Sequence, residues 1–438
     1  MLGIMFGKTL RMLSRALCLD GQSCESLFFC TFAAVKRSII LFLALQGMCA
    51  DAYCRVDLGV STNDERLLTV SHATEEGDAV WRTDSTQVPR RNPVTWLMSY
   101  LAQANKESDK RFDCSLILGP SYTSTYSFGF GAGMSGSYSW DRADVSLPKS
   151  NVTLFANVSV KGFAKVKLEG RNYMPHDRQR WDYELNLENL PFDFWGIGYD
   201  RGRRDENRGS YHQVMMNFRP NYLFRLLPSL YVGPQAYFQL AHTYDFSDIS
   251  QIGGQRRDIT TVGLGAAVQY DSRDFALNAY RGQFLKLEQM VFPRFANHYD
   301  FLSTEFTFDT YHRVWKGCIL AADVHARMLY GNNVPWTMLT MVGQDGRMRG
   351  YYEGRYRDRD IVETQVELRQ HVYRRFGCVV WGGAANVFHD VYSFCASKTL
   401  PNYGVGVRWE FKQRVNVRFD FGFTRDKPGM EFKLNEAF

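Results

Sequence analysis

After residue 50 the chain has no run of about 20 consecutive apolar residues, the length a helix needs to cross a bilayer, so a bundle of membrane helices is excluded. It also lacks a GxSxG nucleophile elbow, an HExxH pair and a phosphate-cradling nucleotide loop, which removes the usual hydrolase, zinc-peptidase and nucleotide signatures. Cysteine is thinly used. Of nine, Cys18, Cys24, Cys30 and Cys49 precede the expected mature chain, leaving Cys54, Cys114, Cys318, Cys378 and Cys395. That odd remainder has no CxxC spacing and supports neither a disulfide framework nor a zinc site. Cys318 and Cys378 fall in apolar strand patterns and read as small buried hydrophobes. An excess of one charge is missing too: 52 Lys+Arg face 46 Asp+Glu, a net +6 dispersed along the chain. That balance fits a solvated lumen and loops and not a nucleic-acid surface. No metal or cofactor is expected.

What the chain has in quantity is aromatics, 24 Tyr, 32 Phe and 9 Trp, together with 36 Gly. From Phe112 they fall on a period of two. Tyr126, Phe128, Phe130, Ala132, Met134, Tyr138 and Trp140 alternate with glycines and serines from Ser127 to Ser139. Val262 to Tyr270 and Leu320 to Tyr330 repeat the pattern, with Asp323, His325 and Arg327 on the polar face. Tyr403 to Phe411 alternate with Arg408 and Glu410, and Val415 to Phe423 with Arg418 and Asp420. Strands of a soluble sandwich run about 5 to 6 residues with the apolar face inward. Here they run about 10 to 15 with aromatics near their ends, which predicts the reverse: apolar residues toward lipid, charges toward an aqueous interior. Counting alternating segments gives about 17, with the doubtful ones between Phe112 and Tyr199; since such barrels have an even number, about 16 are expected. The fold class is all-β, a transmembrane antiparallel β-barrel over residues 112–438.

Ahead of it, Lys36 and Arg37 precede the apolar Ser38–Leu45 and a small-residue stretch ending at Ala52. This reads as a signal peptide over residues 1–52, cut after Ala50 or Ala52, with residues 1–34 upstream of the expected start. Cys49 follows Gly47-Met48, a poor context for lipidation. Residues 53–111 are polar, with one amphipathic helix where Trp96, Leu97, Tyr100, Leu101 and Ala104 repeat at helical spacing.

One stretch breaks the alternation. Gly343 to Asp360 reads GQDGRMRGYYEGRYRDRD, an Arg- and Gly-rich loop set between strands. Its core, Met348-Arg349-Gly350-Tyr351, followed by Gly354-Arg-Tyr-Arg-Asp358 and five strands to a terminal aromatic, resembles the VRGF/VRGY signature of the BamA/TamA-like outer-membrane assembly and secretion barrels of the bacterial surface antigen type. The resemblance covers residues 112–438. It implies that this loop folds back into the lumen and that residues 53–111 are periplasmic; with about 60 residues and one helix, that segment cannot be the POTRA module that the family carries in series. It also implies an acidic partner for Arg349. Glu367 matches by its offset from the loop, while the second acidic position on the next strand falls on glycine in Trp381 to Phe388, so an anchor with one partner is expected. Arg349 could instead plug a pore without anchoring anything. Tyr351 and Tyr352 read as wall packing, and Arg355, Arg357 and Arg359 as solvated charge with a minor option of contacting lipopolysaccharide phosphates.

The segment Met430 to Phe438 resembles the assembly signal of outer-membrane barrels, with Met430, Phe432, Leu434 and Phe438 on one face and Glu436 as a departure. Expected partners are outer-membrane lipid, outer-membrane protein substrates, lipopolysaccharide and the barrel assembly machinery for insertion. Assembly or translocation in the bacterial outer membrane is the function implied. A passive channel is the alternative, and a barrel enzyme using Asp323 and His325 a remote one.

Overall fold

The computed structural model describes residues 112–438 apart from 141–146, 148, 277, 296–297, 413–414 and 435. The expected signal peptide and the 53–111 segment with its helix lie outside the described residues. Sixteen antiparallel strands close on one another. They are β1 Phe112–Thr123, β2 Ser127–Tyr138, β3 Ser150–Ser159, β4 Ala164–Tyr173, β5 Gln179–Phe194, β6 Gly209–Leu227, β7 Leu230–Tyr244 and β8 Asp258–Asp271. Then come β9 Gly282–Phe292, β10 Asp300–Trp315, β11 Cys318–Asn333, β12 Asp360–Tyr373, β13 Phe376–Phe388, β14 Leu400–Lys412, β15 Val415–Thr424 and β16 Gly429–Leu434. The strand number is the sixteen expected, five of them between Phe112 and Tyr199. One of them, β5, runs on through Pro191. It can, because β4 pairs with β5 only as far as Asn189, so the missing proline N–H faces no neighbour. Likewise the β6–β7 ladder skips from Phe218↔Phe238 to Asn221↔Gln235 where Pro220 would have to donate.

The alternation resolves as the residue chemistry requires. Leu264, Val405, Val407, Phe419 and Phe423 stand exposed on the outer wall, whereas Gln235, Asp323, Glu367, Arg408, Arg418 and Asp420 are buried inside. A charge facing lipid carries a cost of about 2–4 kcal/mol at mid-membrane, so the register has one acceptable answer. Closure is uneven. β5 and β6 pair without a break from Gln179↔Phe224 to Phe194↔Gly209. The pair that closes the barrel, β1 with β16, is in register at Tyr122↔Phe432 and Thr123↔Glu431 and at no other pair among the described residues.

Residues 334–359, between β11 and β12, fold into the barrel and are braced by a short ladder, Thr340↔Asp358 and Met341↔Arg357. Two apolar clusters receive them. Trp336, Met338 and Leu339 join Phe192, Phe194, Tyr211, Ile252 and Phe292, and Val342, Met348, Tyr351 and Tyr356 join Tyr199, Ile361, Val387 and Leu400. The barrel is thus filled by its own loop.

Candidate functional site

The loop carries its motif to the wall through glycine. Gly350 has φ +99°, and a side chain there would come within 3.0 Å of the Gly422 carbonyl oxygen. Glycine alone fits both demands. Met348, beside it, is fully buried, and Arg349 is 1% exposed. The Arg349 guanidinium donates from Nη2 to Glu367 on β12 and from Nη1 to Asp420 Oδ2 on β15 at 3.0 Å. Its plane lies 3.8 Å from the ring centre of Trp381 on β13. The expected single partner is therefore corrected to two carboxylates. The second comes from β15, while β13 supplies the aromatic face under the cation, Trp381, next to the glycines where an acid is missing.

Room for this is made by small residues. A Cβ on Gly406 would meet Asp420 Oδ1 at 2.1 Å, one on Gly404 would meet Trp381 at 2.4 Å, and one on Gly422 would meet the Arg349 carbonyl oxygen at 2.6 Å. Around the motif the charges close into a network. Arg369 Nε donates to Glu367 Oε2 at 2.8 Å, Arg408 Nη1 lies 2.5 Å from Asp420 Oδ1, and Arg408 Nε 2.9 Å from Glu436 Oε2. Arg418 lies 3.3 Å from Asp420 and 3.5 Å from Glu431. Four arginines thus meet four carboxylates, and no member is left as an uncompensated buried charge. Nearby, Arg347 makes a two-pronged pair with Asp323 at 2.9 and 3.0 Å.

The loop's other arginines depart from the solvated reading. Arg357, 2% exposed, lies 4.6 Å from the ring centre of Phe194, donates from Nε to the Gly354 carbonyl at 3.0 Å and from Nη1 to the Tyr211 hydroxyl at 3.2 Å. Arg355 is also buried; its guanidinium sits 5.0 Å from the Trp195 ring centre, and its Nε donates to the Gly202 carbonyl at 3.0 Å. Arg359 alone of the three is partly exposed, donating to the Gly331 carbonyl at 2.8 Å. Tyr351 donates to the Pro401 carbonyl at 2.8 Å, and the Tyr352 hydroxyl accepts from the Asp193 backbone N–H at 3.0 Å. Burial pushes the Tyr351 hydroxyl up to about 12, and burial likewise raises the Glu353 and Asp358 carboxyls above their usual range.

Asp323 and His325 do not form an acid–base pair. Asp323 is taken by Arg347, and His325 offers Nδ1 to Glu363 at 2.8 Å and Nε2 to Glu305 at 3.3 Å. Both ring nitrogens are engaged by carboxylates, so neither is free to act as a base.

The C-terminal segment is also rearranged. β16 stops at Leu434, which pairs with Val417, and Phe432 pairs with Phe419. Phe438 does not continue the outer face; its ring lies 6.4 Å from that of Tyr311 and 5.1 Å from the Arg369 guanidinium, inside the barrel. Glu436 accounts for the turn, since its carboxylate is drawn to Arg408. Asp420, Trp381 and the small residues around them were not identified as parts of the site by sequence reasoning. Asp420 carried one signal, an acid on the polar face of a lipid-facing strand pattern.

Residues 163–438 match the model of the Omp85 superfamily domain. No curated protein matches the chain in sequence. Among solved structures, BamA from Haemophilus ducreyi lacking POTRA domains 1–3 is similar with a TM-score of 0.50 at 11% identity, over 75% of this chain and 70% of that one. CdiB from Acinetobacter baumannii matches with a TM-score of 0.50 at 10% identity, and CdiB from Escherichia coli with 0.50 at 12%. Each match covers 75% of this chain, and 60% and 63% of the respective CdiB chain.

Proposed function

The chain belongs to the Omp85 superfamily, and from that premise we propose that this outer-membrane barrel assembles or translocates outer-membrane proteins through the junction of β1 and β16, while Arg349 anchors the lumen loop. The observation that carries the reading is the contrast between that two-pair junction and the continuous ladder of β5 with β6. The β1 edge before Tyr122, from Phe112 to Ser121, has no ladder partner in β16 among the described residues and is a template on which an incoming strand can pair. The anchored loop keeps the rest of the wall from following when the junction parts. Glu367 and Asp420 hold Arg349 from two strands, and a buried, charge-assisted pair of this kind is stiffer than an exposed one.

A passive channel is the weaker reading, because the loop and its two apolar clusters fill the path an ion would take. A catalytic role has no residues to carry it in the proposed site. Exposed outer-wall residues contact outer-membrane lipid, and insertion of the chain itself falls to the barrel assembly machinery. With Arg355 and Arg357 buried, a contact to lipopolysaccharide phosphate is left to Arg359.

The test is a disulfide between Thr123→Cys and Glu431→Cys, which face each other in register. Liposomes carrying the oxidised barrel should not accelerate folding of a urea-denatured small outer-membrane barrel used as probe, and reduction should restore acceleration. Equal acceleration in both states overturns the junction model. Single-channel recording supplies a second arm. Wild type should be closed and Arg349→Ala should flicker open, whereas a large steady wild-type conductance unchanged by the substitution would make this a porin.

A further inference from the structure

Residues 436–438 leave the wall. β16 stands beside β15, and reaching β10 along the wall means passing β15, β14, β13, β12 and β11. Yet Phe438 packs against Tyr311 of β10, Ala321 of β11 and Ala279. The segment therefore crosses the lumen. Along its path it meets a fitted set of side chains. Arg408 Nε donates to Glu436 Oε2 at 2.9 Å and Asn416 Nδ2 to Glu436 Oε1 at 2.6 Å. Arg369 Nη2 donates to the Phe438 carbonyl oxygen at 3.2 Å while its guanidinium sits 5.1 Å from the Phe438 ring centre, and the Tyr311 ring lies beyond at 6.4 Å. The loop covers it from the other side, where a side chain on Gly346 would come within 3.4 Å of the Ala437 carbonyl oxygen.

We propose that the lumen contains a peptide-binding site for a short segment with an acidic residue two positions before an aromatic one, and that Glu436 and Phe438 occupy it in cis. The chemistry of the socket selects that class. Two buried guanidiniums demand a carboxylate between them, and a ring is required where Arg369 and Tyr311 present a cation and an aromatic face. Arg408 Nη2 and Arg369 Nη1 remain buried without an acceptor among the described residues, so the socket has donors to spare for an incoming segment. The site is also wired to the loop, because Arg369 shares Glu367 with Arg349, and Arg408 shares Asp420 with it. Occupancy of the socket and seating of the loop motif therefore draw on the same carboxylates.

The proposal stands apart from the assembly reading, and its test reads peptide binding alone. The E436A/F438A barrel, folded in detergent, is titrated into a fluorescein-labelled Lys-Leu-Asn-Glu-Ala-Phe peptide and followed by anisotropy. Saturable binding is expected, and wild type should bind about tenfold more weakly if its own segment fills the socket about nine-tenths of the time. A peptide with alanine in place of Glu and Phe should not bind, and R369Q added to the emptied barrel should abolish binding. Absence of binding to the emptied barrel, equal binding by wild type, or equal binding of the alanine peptide each overturns the site. If the double variant does not fold, E436Q takes its place. E436Q is then expected to bind the peptide more tightly than wild type, and no rise overturns the proposal.

Discussion

Two arginines eight residues apart in the same loop are buried to the same degree by opposite means. Arg349 ends among Glu367 and Asp420, inside a network in which charge is matched by charge. Arg357 ends against Phe194 and Tyr211, with one carbonyl and one hydroxyl as acceptors. The difference teaches where the loop is rigid and where it is tolerant. In the first region Glu367 and Asp420 each serve two or more guanidiniums, so removing one member strands others. In the second, the energy lies in aromatic packing around Trp336, and the cation is a guest on the rings.

The sharpest way to break the comparison is to remove the cation from the ionic region alone. Arg349→Met keeps length and apolar bulk but leaves the cluster one positive charge short. A loss of about 3–5 kcal/mol is expected, the cost of leaving an uncompensated buried charge. It should appear as a lower temperature for the heat-induced gel shift of the folded barrel. A loss under about 1 kcal/mol would mean water reaches the cluster and the network is not dry. Coupling is checked with Glu367→Gln: the double variant should lose less than the sum of the single ones, because both disable one pair.

The aromatic region is tested at Trp336. Its ring lies 5.3 Å from that of Tyr211 and 6.0 Å from that of Phe194, and its Nε1 donates to the Arg256 carbonyl at 3.2 Å. Trp336→Ala should cost about 3 kcal/mol by cavity formation, measured by the same shift. It should leave the Arg349 contacts in place, so single channels of this variant should stay closed. Channels that open as in Arg349→Ala would show that the two regions fail together and dissolve the distinction.

Much of this was legible in the sequence because lipid imposes a period of two on every strand. The alternation from Val362 to Arg369 placed Glu367 on the inner face, and the loop motif set its distance from Arg349. Asp420 could not be assigned to Arg349 in the same way. It lies three strands beyond Glu367 in the wall, and its meeting with the loop depends on curvature and on the small volumes of Gly404, Gly406 and Gly422. The burial of Arg355 and Arg357 depends likewise on Trp195, Phe194 and Tyr211, residues about 150 positions earlier whose aromatic content said nothing about what they would cover. Phe438 was misplaced for a related reason. Periodicity continued its strand outward, whereas the pull of Arg408 on Glu436 ended the strand at Leu434.

The smallest expected effect is the most discriminating. Arg357→Met makes in the aromatic region the substitution that is costly at Arg349, and here the thioether can lie on Phe194 and Tyr211 in place of the guanidinium. What is lost is one hydrogen bond to the Gly354 carbonyl, one to the Tyr211 hydroxyl and the attraction of a cation for two rings. What is gained is relief from burying a charge that has no carboxylate partner among the described residues. These terms oppose each other, so a net change of about 1 kcal/mol or less is expected. If Arg357→Met instead weakens the barrel as much as Arg349→Met, the Gly354 carbonyl, the Tyr211 hydroxyl and the Phe194 ring hold a buried cation as firmly as carboxylates do, and the contrast between the two regions fails.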